Sequence, residues 1–393
     1  MRRYLYILLC YILLPHLLFA QDKLSVQPIG RILMDAGIFE GNEAGLNNGI
    51  SIPDFRIGAF ATFGKFSAYI DVCYAREKVR MKDVCIEGKF DTKNTFTLGY
   101  FYHQFGYQGS FSSSRKVAML EPAIDGVFVG GRQIGLMWIH NNRDYWSSLS
   151  LIVEEDAMKK TTEELGNPGY GATSRMVYRP IREKDKIFHV GFSWAYDTPK
   201  YNEDPTLNHR SFHLAGSFPT YLSSITTLDA IVPDAINRWR FTPELCAAYG
   251  RIGLEAQYYY MTINRSKDLP NYETSGAYAQ IRGLLKGSHY AYNEANSWMN
   301  PANLGAWECV LGYNYVDLNN QRCHINGGKM QDLSLTLNHY LNKYITWRLR
   351  YSFTKVKNQK HDFSVNALQT RFQVLFLSIK AAVLRNRCFF VWY

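Results

Sequence analysis

The chain has 393 residues, with 44 Lys or Arg against 34 Asp or Glu and a formal net charge of +10 at pH 7. These cations form neither a dense run nor a basic helix, so the charge does not predict a nucleic-acid partner. Beyond the N-terminus, no apolar run reaches the roughly 18 residues that a membrane-spanning helix needs. The composition therefore argues against a helical membrane protein.

The first 20 residues have the pattern of a secretory signal peptide. Arg2 and Arg3 precede an apolar stretch at residues 4–19, and Ala20 is a suitable cleavage residue. We predict cleavage after Ala20 and export of the mature chain. Its charge is then +8, because two arginines are lost (10 − 2). Export is a second argument against nucleic acid as a partner.

Six cysteines follow the signal peptide, and their spacing matches no metal site. They form no C-x-x-C pair, and no histidine lies at metal-ligand spacing from them. Isolated thiols on strands and loops are the simplest interpretation, and the sequence leaves any disulfide pairing open. The six are Cys73, Cys85, Cys246, Cys309, Cys323 and Cys388.

Apolar and polar residues alternate with a period of two from about residue 30 to residue 376. Ile345, Trp347 and Leu349, for example, alternate with Thr346 and Arg348. This alternation places the two sets on opposite faces of a β-strand. In chain order the strand segments are 55–63, 66–74, 96–102, 134–138, 149–153, 188–196, 252–263, 306–317, 333–341, 344–353 and 368–376.

The connections between these segments alternate in length. Short turns at residues 64–65, 91–94 and 342–343 contrast with long links at 103–130, 154–171 and 354–366. Short turns on the periplasmic side and long outer loops are typical of outer-membrane barrels, in which only every second residue contacts lipid. We predict an all-β, antiparallel transmembrane barrel over residues 21–376. It has about 16 strands, or 18 if residues 209–217 and 223–231 belong to the wall.

Strand parity assigns charged side chains to the lumen if the bulky apolar residues contact lipid. The basic set is Arg31, Arg56, Arg175, Arg179, Arg282, Arg348, Arg350 and Arg371. The acidic set is Asp35, Asp71, Glu154, Glu244, Glu255 and Glu308. The longest regular loop adds Arg115 and Lys116, and Arg132 follows at its end. Arginine binds phosphate or carboxylate through two parallel hydrogen bonds. For any single arginine, pairing with a facing acid is the simpler explanation.

The C-terminal third resembles the phosphate-selective porin O and P family. The similarity lies in GAWE at residues 305–308, YNYVDLN at 313–319, GGK at 327–329, LNHYLN at 337–342 and RFQVLF at 371–376. The N-terminal half matches more loosely. The resemblance implies a trimeric, 16-stranded outer-membrane porin for anions, whose third loop is folded into the lumen and sets the constriction.

Two departures from the family pattern stand out. The family's third loop carries an F-m-E-R motif whose arginine belongs to the constriction, whereas this chain has MLEP at residues 119–122. Pro122 therefore replaces that arginine and weakens the case for phosphate specificity. The chain also continues beyond the aromatic Phe376, and the role of the extension at residues 377–393 is unknown.

We predict a porin of the cell outer membrane that passes small anions by passive diffusion, with phosphate-like solutes as the first candidate. The expected partners are these solutes, outer-membrane lipid and two further copies of the chain in a homotrimer. Passive diffusion needs no cofactor and no metal. A general porin without ion preference is the first alternative, which Pro122 favours.

Other classes of function have weaker support in the sequence. A barrel-embedded lipid hydrolase would draw on His103 and the serines at 110–114, but the chain has no G-x-S-x-G motif. A soluble β-sandwich would bury its apolar strand faces against a second sheet. The acids at 154–156 could attract calcium, although solvated acids at a strand end explain them as well. We therefore expect no enzyme and no catalytic residues.

Overall fold

The computed structural model describes residues 24–41, 45–153, 167–200, 210–266, 268–359 and 362–377, and these form one closed antiparallel barrel of 16 strands. Every wall strand pairs with its neighbour in sequence order, and the first wall strand pairs with the last to close the sheet. Closure leaves no sheet edge with unpaired backbone groups, which is the condition for crossing a hydrocarbon layer with strands. None of the helices in these residues is long and apolar enough to span a membrane.

The wall strands, in chain order, are β1 Ser25–Gly41, β2 Gly49–Phe63, β3 Phe66–Ala75, β4 Lys78–Lys89, β5 Asn94–Phe101, β6 Gln133–Asn141, β7 Tyr145–Val153, β8 Tyr170–Arg182, β9 Lys186–Asp197, β12 Ala235–Tyr249, β13 Ile252–Arg265, β14 Tyr272–Lys286, β17 Trp307–Asn320, β18 Ile325–His339, β19 Ile345–Lys357 and β20 Asp362–Leu377. Two hairpins lie outside the wall order: β10 Phe212–Ser217 with β11 Thr226–Val232, and β15 Tyr292–Asn293 with β16 Trp298–Met299. The helical segments are Gln108–Ser110, Ser113–Arg115, Ala123–Phe128 and Gln321–Cys323.

The apolar and polar side chains of the strands lie on the outer and inner faces that the sequence predicts. On β9 the side chains of Phe188, Val190 and Phe192 are exposed on the outside, whereas His189 and Ser193 are buried inside. The same holds on β19, where Tyr351 and Phe353 are 50% and 43% exposed. A continuous exposed apolar surface of this kind belongs in lipid. The alternative of a soluble sandwich is therefore wrong, because one closed sheet leaves no partner sheet to cover that surface.

The connections confirm the alternation of lengths with three differences. The short turns at 64–65, 90–93 and 142–144 lie at one end of the barrel, here called the short-turn end, and the long loops lie at the other, the long-loop end. Residues 287–306 form a long connection at the short-turn end, and residues 76–77 form a two-residue turn at the long-loop end. The predicted long link at 354–366 is wrong, because β19 continues to Lys357 and β20 begins at Asp362.

Three segments fill much of the lumen. Loop L3 (residues 102–132) follows β5, the inner hairpin β10–β11 enters from the long-loop end, and residues 287–306 enter from the short-turn end. The inner hairpin packs its Leu214 and Leu228 against lumen-facing residues of β17–β20, including Val316 and Val356. The 18-strand alternative is therefore wrong, because β10 and β11 pair with each other inside the wall. The predicted signal peptide and C-terminal extension lie outside the described residues, except that Leu377 ends β20.

Candidate functional site in the barrel lumen

Loop L3 is held inside the barrel by hydrogen bonds from the wall to its backbone. Arg348 on β19 donates to the carbonyls of Ser114 and Lys116, and Arg371 on β20 donates to the carbonyl of Met119 at 2.5 Å. Guanidinium groups suit this task because several fixed donors act from one side chain. L3 thus crosses the lumen and is anchored to the wall opposite its own strands. This inward course is the one that the family resemblance implies.

The entry of L3 into the lumen needs a glycine on the neighbouring strand. A Cβ placed on Gly135 of β6 would approach Cε1 of His103 within 2.6 Å and would also clash with the backbone of Leu151. The His103 ring therefore packs where a side chain is missing, and its Nε2 contacts the carbonyl of Gln133 at 3.1 Å. Burial lowers the pKa of His103 to about 4, so this ring is neutral at physiological pH.

Between L3, the inner hairpin and strands β2–β4 lies a cavity of about 540 Å³, hereafter the lumen cavity. Charged groups of both signs border it. The cations are Arg56, Arg76, Arg80, Lys82, Lys116 and Arg132. The acids are Asp54, Asp83, Glu121 and Asp125. The cations exceed the acids by two. Of the predicted site residues, Arg56, Lys116 and Arg132 are brought together here.

Two of these cations, Arg80 and Lys82, are missing from the prediction because of a β-bulge. The register between β3 and β4 shifts at Asp71, so that Lys82 and Asp83 together occupy the place of one residue. An extra residue inverts strand parity on its far side. Arg80, Lys82 and Asp83 consequently all border the lumen, although simple alternation would place Lys82 and Asp83 on opposite faces. Two adjacent charges inside an otherwise alternating stretch are the one signal that could have revealed them.

The other wall cations at the cavity are paired. Arg56 contacts Asp54 at 2.9 Å and Asp71 at 3.5 Å, and Arg31 donates to the same Asp54 at 2.6 Å. Arg132 pairs with Asp83 at 2.8 Å and lies over the ring of Tyr102, 4.3 Å from its centroid. Among the described residues, neither Arg80 nor Lys82 forms an ion pair. Arg76, in the turn after β3, donates to the backbone carbonyls of Tyr221 and Ser223 and forms no ion pair in these residues either. The uncompensated positive charge of the cavity therefore comes from Arg76, Arg80 and Lys82.

The L3 side of the cavity carries a neutralised pair and one acid. Lys116 Nζ contacts the carboxylate of Asp125 at 3.0 Å and donates to the side chain of Gln108 at 2.8 Å. Burial raises the pKa of Asp125 to about 6, and Lys116 opposes that rise. Glu121 Oε2 accepts a hydrogen bond of 2.8 Å from the hydroxyl of Tyr221 on the inner hairpin. It has no cation within ion-pair distance in the described part of the chain.

Most predicted wall arginines face inward but are locked in buried pairs away from the cavity. Their partners are acids on the neighbouring strand or, for Arg175, on the next strand but one, at N–O distances between 2.6 and 2.9 Å. The pairs are Arg175 with Glu244, Arg282 with Glu308, Arg350 with Asp332 and Arg371 with Asp35. Side chains held by two or more bonds and almost wholly buried are structural braces in this state.

Arg179 and Arg115 have different surroundings. Arg179 donates to the side chain of Asn141 at 2.5 Å and to the hydroxyl of Ser297 at 2.9 Å, so it joins the β6–β7 turn to residues 287–306. Arg115 is buried and lies over the ring of Trp298, 5.8 Å from its centroid. A small cavity beside it is also bordered by Glu255. Arg115 is thus part of the packing between L3 and residues 287–306.

The remaining predicted groups are dispersed. Glu154 and the rest of the acidic group at 154–156 lie outside the described residues. His103 and Ser110 bond to different backbone carbonyls, those of Gln133 and Gly106, and do not form a nucleophile–base pair. Five cysteines are free thiols: Cys73, Cys85, Cys246, Cys309 and Cys323. Cys388 lies outside the described residues, and the described residues contain no group of three potential metal ligands.

A sequence model of the phosphate-selective porin O and P family matches residues 31–376. The chain belongs to this family. No curated protein matches it by sequence. The match spans the barrel from β1 to β20, and it makes this chain an outer-membrane porin.

Solved structures agree on the fold. The outer-membrane protein OmpT of Vibrio cholerae is 12% identical, with a TM-score of 0.55 over 91% of this chain and 99% of that one. A trimer form of OmpT is 11% identical, with a TM-score of 0.53 over 90% and 100% of the two chains. The outer-membrane channel DcaP of Acinetobacter baumannii is 10% identical, with a TM-score of 0.53 over 90% and 97%. At these identities the likeness concerns the porin barrel alone.

Pro122, which departs from the family motif, borders the lumen cavity. Pro122 lies in extended backbone immediately before the helix Ala123–Phe128, where its missing N–H costs nothing. Its carbonyl accepts a bond of 2.9 Å from the amide of Asp125. The L3 rim of this porin therefore starts a helix at the position where the family motif carries an arginine, and Glu121 is the charged residue beside it.

Proposed function

We propose that this porin conducts small anions passively through the lumen cavity, with phosphate-like solutes as the first candidate. The observation that carries the proposal is the pair of unneutralised cations, Arg80 and Lys82, on the cavity wall. Low-dielectric walls focus the field of such charges and raise the local concentration of anions. Cations that attract without enclosing the ion also allow it to leave, which conduction requires.

Within this proposal the predicted arginines divide into two groups. Arg56 and Arg132, together with Arg80 and Lys82, border the route and act on the passing ion. Arg175, Arg282, Arg350 and Arg371 hold the wall together through their carboxylate partners. The general-porin alternative draws on that same pairing, because each neutralised arginine contributes little long-range field. The two functions differ in the measured preference for anions over cations.

The test is a planar bilayer with a KCl gradient, in which the reversal potential reports ion preference. We expect Arg80→Ala with Lys82→Ala to shift that potential towards cations more than Arg115→Ala with Lys116→Ala does. Without Lys116, which lowers the pKa of the buried Asp125, that carboxyl becomes protonated, so the pair stays neutral in the variant. Arg115 is packed against Trp298. The matched control is Lys184→Ala with Lys186→Ala, two exposed lysines at the short-turn end.

Salt and phosphate complete the test. At about 1 M salt, screening shortens to roughly 3 Å, so the difference between the variants should shrink. Added phosphate should reduce the chloride current of the native porin and affect the Arg80→Ala, Lys82→Ala variant less. A native porin with no ion preference, or a wall variant identical to the lysine control, would make the general porin the better conclusion.

We further propose that the mature porin is a homotrimer released from a signal peptide by cleavage after Ala20. The trimer form of the OmpT neighbour supports the first point, and Arg2, Arg3 and the apolar stretch after them support the second. Light scattering of the detergent-solubilised porin should give three times the mass of one chain, and N-terminal sequencing should begin at Gln21. A monomer, or an intact N-terminus in the membrane fraction, would contradict the respective point.

A further inference from the structure

A β-bulge turns Lys286 to the outer face of the barrel at the short-turn end. Leu284 pairs with Glu308 on the inner face, but the register between β14 and β17 then shifts. Simple alternation would place Lys286 on the same inner side as Leu284. The extra residue, Leu285, reverses that parity, as a bulge does. Lys286 therefore pairs with Trp307 and is exposed on the surface that contacts lipid.

Aromatic rings continue from Lys286 along the same level of the outer face. Trp307 pairs with His339 of β18, and His339 pairs with Trp347 of β19. The His339 ring stacks on Trp307, with centroids 4.2 Å apart and planes 13° from parallel. Trp347 packs edge-on against Trp307, and its indole N–H donates to the hydroxyl of Thr370 at 2.9 Å. These four side chains, Lys286, Trp307, His339 and Trp347, are called the outer row.

The outer row lies at the boundary between lipid and water, where β14 and β18 end and β17 begins. Rings with an apolar body and a polar edge are typical of that depth. The donors Lys286 and His339 lie on the strands either side of Trp307, about 10 Å apart at the backbone. The flexible stem of a lysine closes such a span. Both donors can therefore bind one phosphate group at the edge of the Trp307 ring.

Nearby acids do not compensate the positive charge of the outer row. The three connections at the short-turn end between β12 and β20 contain a single acid, Glu294. This carboxylate pairs with Arg182 at 3.1 Å. Lys343, four residues after His339 in the β18–β19 turn, adds another exposed cation. Neither Lys286 nor Lys343 forms an ion pair within the part of the chain that the structure describes.

From this arrangement we infer that the outer row binds an anionic glycerophospholipid of the inner leaflet of the outer membrane. Lys286 and His339 bind its phosphate, Trp307 packs against the glycerol region, and the acyl chains follow the exposed leucines of β17 and β18, Leu311 and Leu335. Short turns on the periplasmic side place the row in that leaflet. The inference concerns the outer surface and is independent of the solute that crosses the lumen.

Nanodiscs with equal amounts of phosphatidylglycerol and phosphatidylcholine test the inference. The porin is released from them, and its retained lipids are counted by native mass spectrometry. We expect preferential retention of phosphatidylglycerol, because the choline ammonium already compensates its own phosphate. Lys286→Gln should lower this preference about fivefold, the effect of one cation near an anionic headgroup. His339→Phe keeps a ring to stack on Trp307 but loses the N–H donor, and should lower the preference by a smaller factor.

The matched control is Lys184→Gln, which changes an exposed lysine at the same end of the barrel that has acids on both sides in the sequence. It should leave the preference unchanged. Heat-modifiable gel migration confirms that each variant is folded. Equal retention of the two lipids by the native porin, an unchanged preference in Lys286→Gln or His339→Phe, or an equal loss in Lys184→Gln would overturn the inference. A loss of trimer in Lys286→Gln with the lipid preference intact would assign the outer row to contact between copies and would also overturn it.

Discussion

Buried carboxylates decide which lumen arginines can meet a solute. Arg371, for example, is fully buried and makes hydrogen bonds of 2.7 and 2.6 Å to Asp35, so that carboxylate neutralises its charge within the wall. Removing one member of such a pair leaves the other charge uncompensated, at a cost of about 3–5 kcal/mol. Variants of these residues therefore report on folding first. Arg80 and Lys82 carry no such partner and can be changed with less effect on stability.

Parity predicted that eight wall arginines face the lumen, and all eight do. It could not predict their partners, because pairing depends on the register between strands and on loops that approach from elsewhere. Arg348 shows this most clearly, since it binds carbonyls of a loop more than 230 residues away in sequence. The acid that holds Arg350 is Asp332, a residue outside the predicted acidic set.

Asp125 makes the charge of L3 sensitive to pH. Its pKa is about 6, because burial raises it more than Lys116 lowers it. Above this pH the carboxylate is ionised and cancels Lys116. Below it the carboxyl is neutral and Lys116 is uncompensated. We expect anion preference, measured as the KCl reversal potential, to increase between pH 7 and pH 5.

The variant Asp125→Asn isolates this effect. It should show at pH 7 the stronger anion preference that the native porin reaches only near pH 5, with little further change on acidification. Asp185→Asn, which alters an exposed acid in the β8–β9 turn, should retain the native pH dependence. A pH dependence that survives in Asp125→Asn would assign the titration to another group.

At the scale of strands, the apolar and polar faces exchange sides where a strand extends past the lipid layer. Near the long-loop end of β19 and β20, Val356 and Val365 face inward against the inner hairpin, and Lys355 and Asn366 face outward. Water replaces lipid outside and an apolar core replaces water inside. A search for apolar residues on the outer face therefore ends these strands too early, which explains why the sequence predicts too long a link at 354–366. The bulge in β4 hides Arg80 and Lys82 for the related reason that parity changes within one strand.

The lipid-facing assignment can be tested on β19. Leu349 lies on the outer face with Tyr351 and Phe353, so Leu349→Arg places a charge in the apolar band at a cost of about 2–4 kcal/mol. Thr62→Arg on β2 points into the lumen and is only half-buried, so it should cost much less. Urea unfolding in lipid vesicles measures both. If Leu349→Arg were as stable as the native porin and Thr62→Arg were not, the inner and outer faces would be interchanged.

At the scale of the whole molecule, closure of the barrel is the decisive step. β1 and β20 are the first and last wall strands, and they pair from Ile29 with Leu377 to Gly41 with Val365. Long-range pairing of this kind could be predicted from an even number of alternating segments. The contents of the lumen could not, because L3, the inner hairpin and residues 287–306 follow no strand period and are placed by contacts distant in sequence.

The β1–β20 ladder leads to a prediction about the end of the chain. A variant that stops after Phe376 loses one ladder pair, Leu377 with Ile29, and keeps the rest. A variant that stops after Lys357 loses all of β20 and leaves β1 and β19 with unpaired backbone groups. In hydrocarbon each such group costs several kcal/mol. We expect the first variant to fold in detergent with a β-type circular dichroism spectrum and heat-modifiable gel migration, and the second to show neither. Failure of the first variant alone would assign residues 377–393 an essential part in barrel formation, and folding of the second would refute the observed closure between β1 and β20.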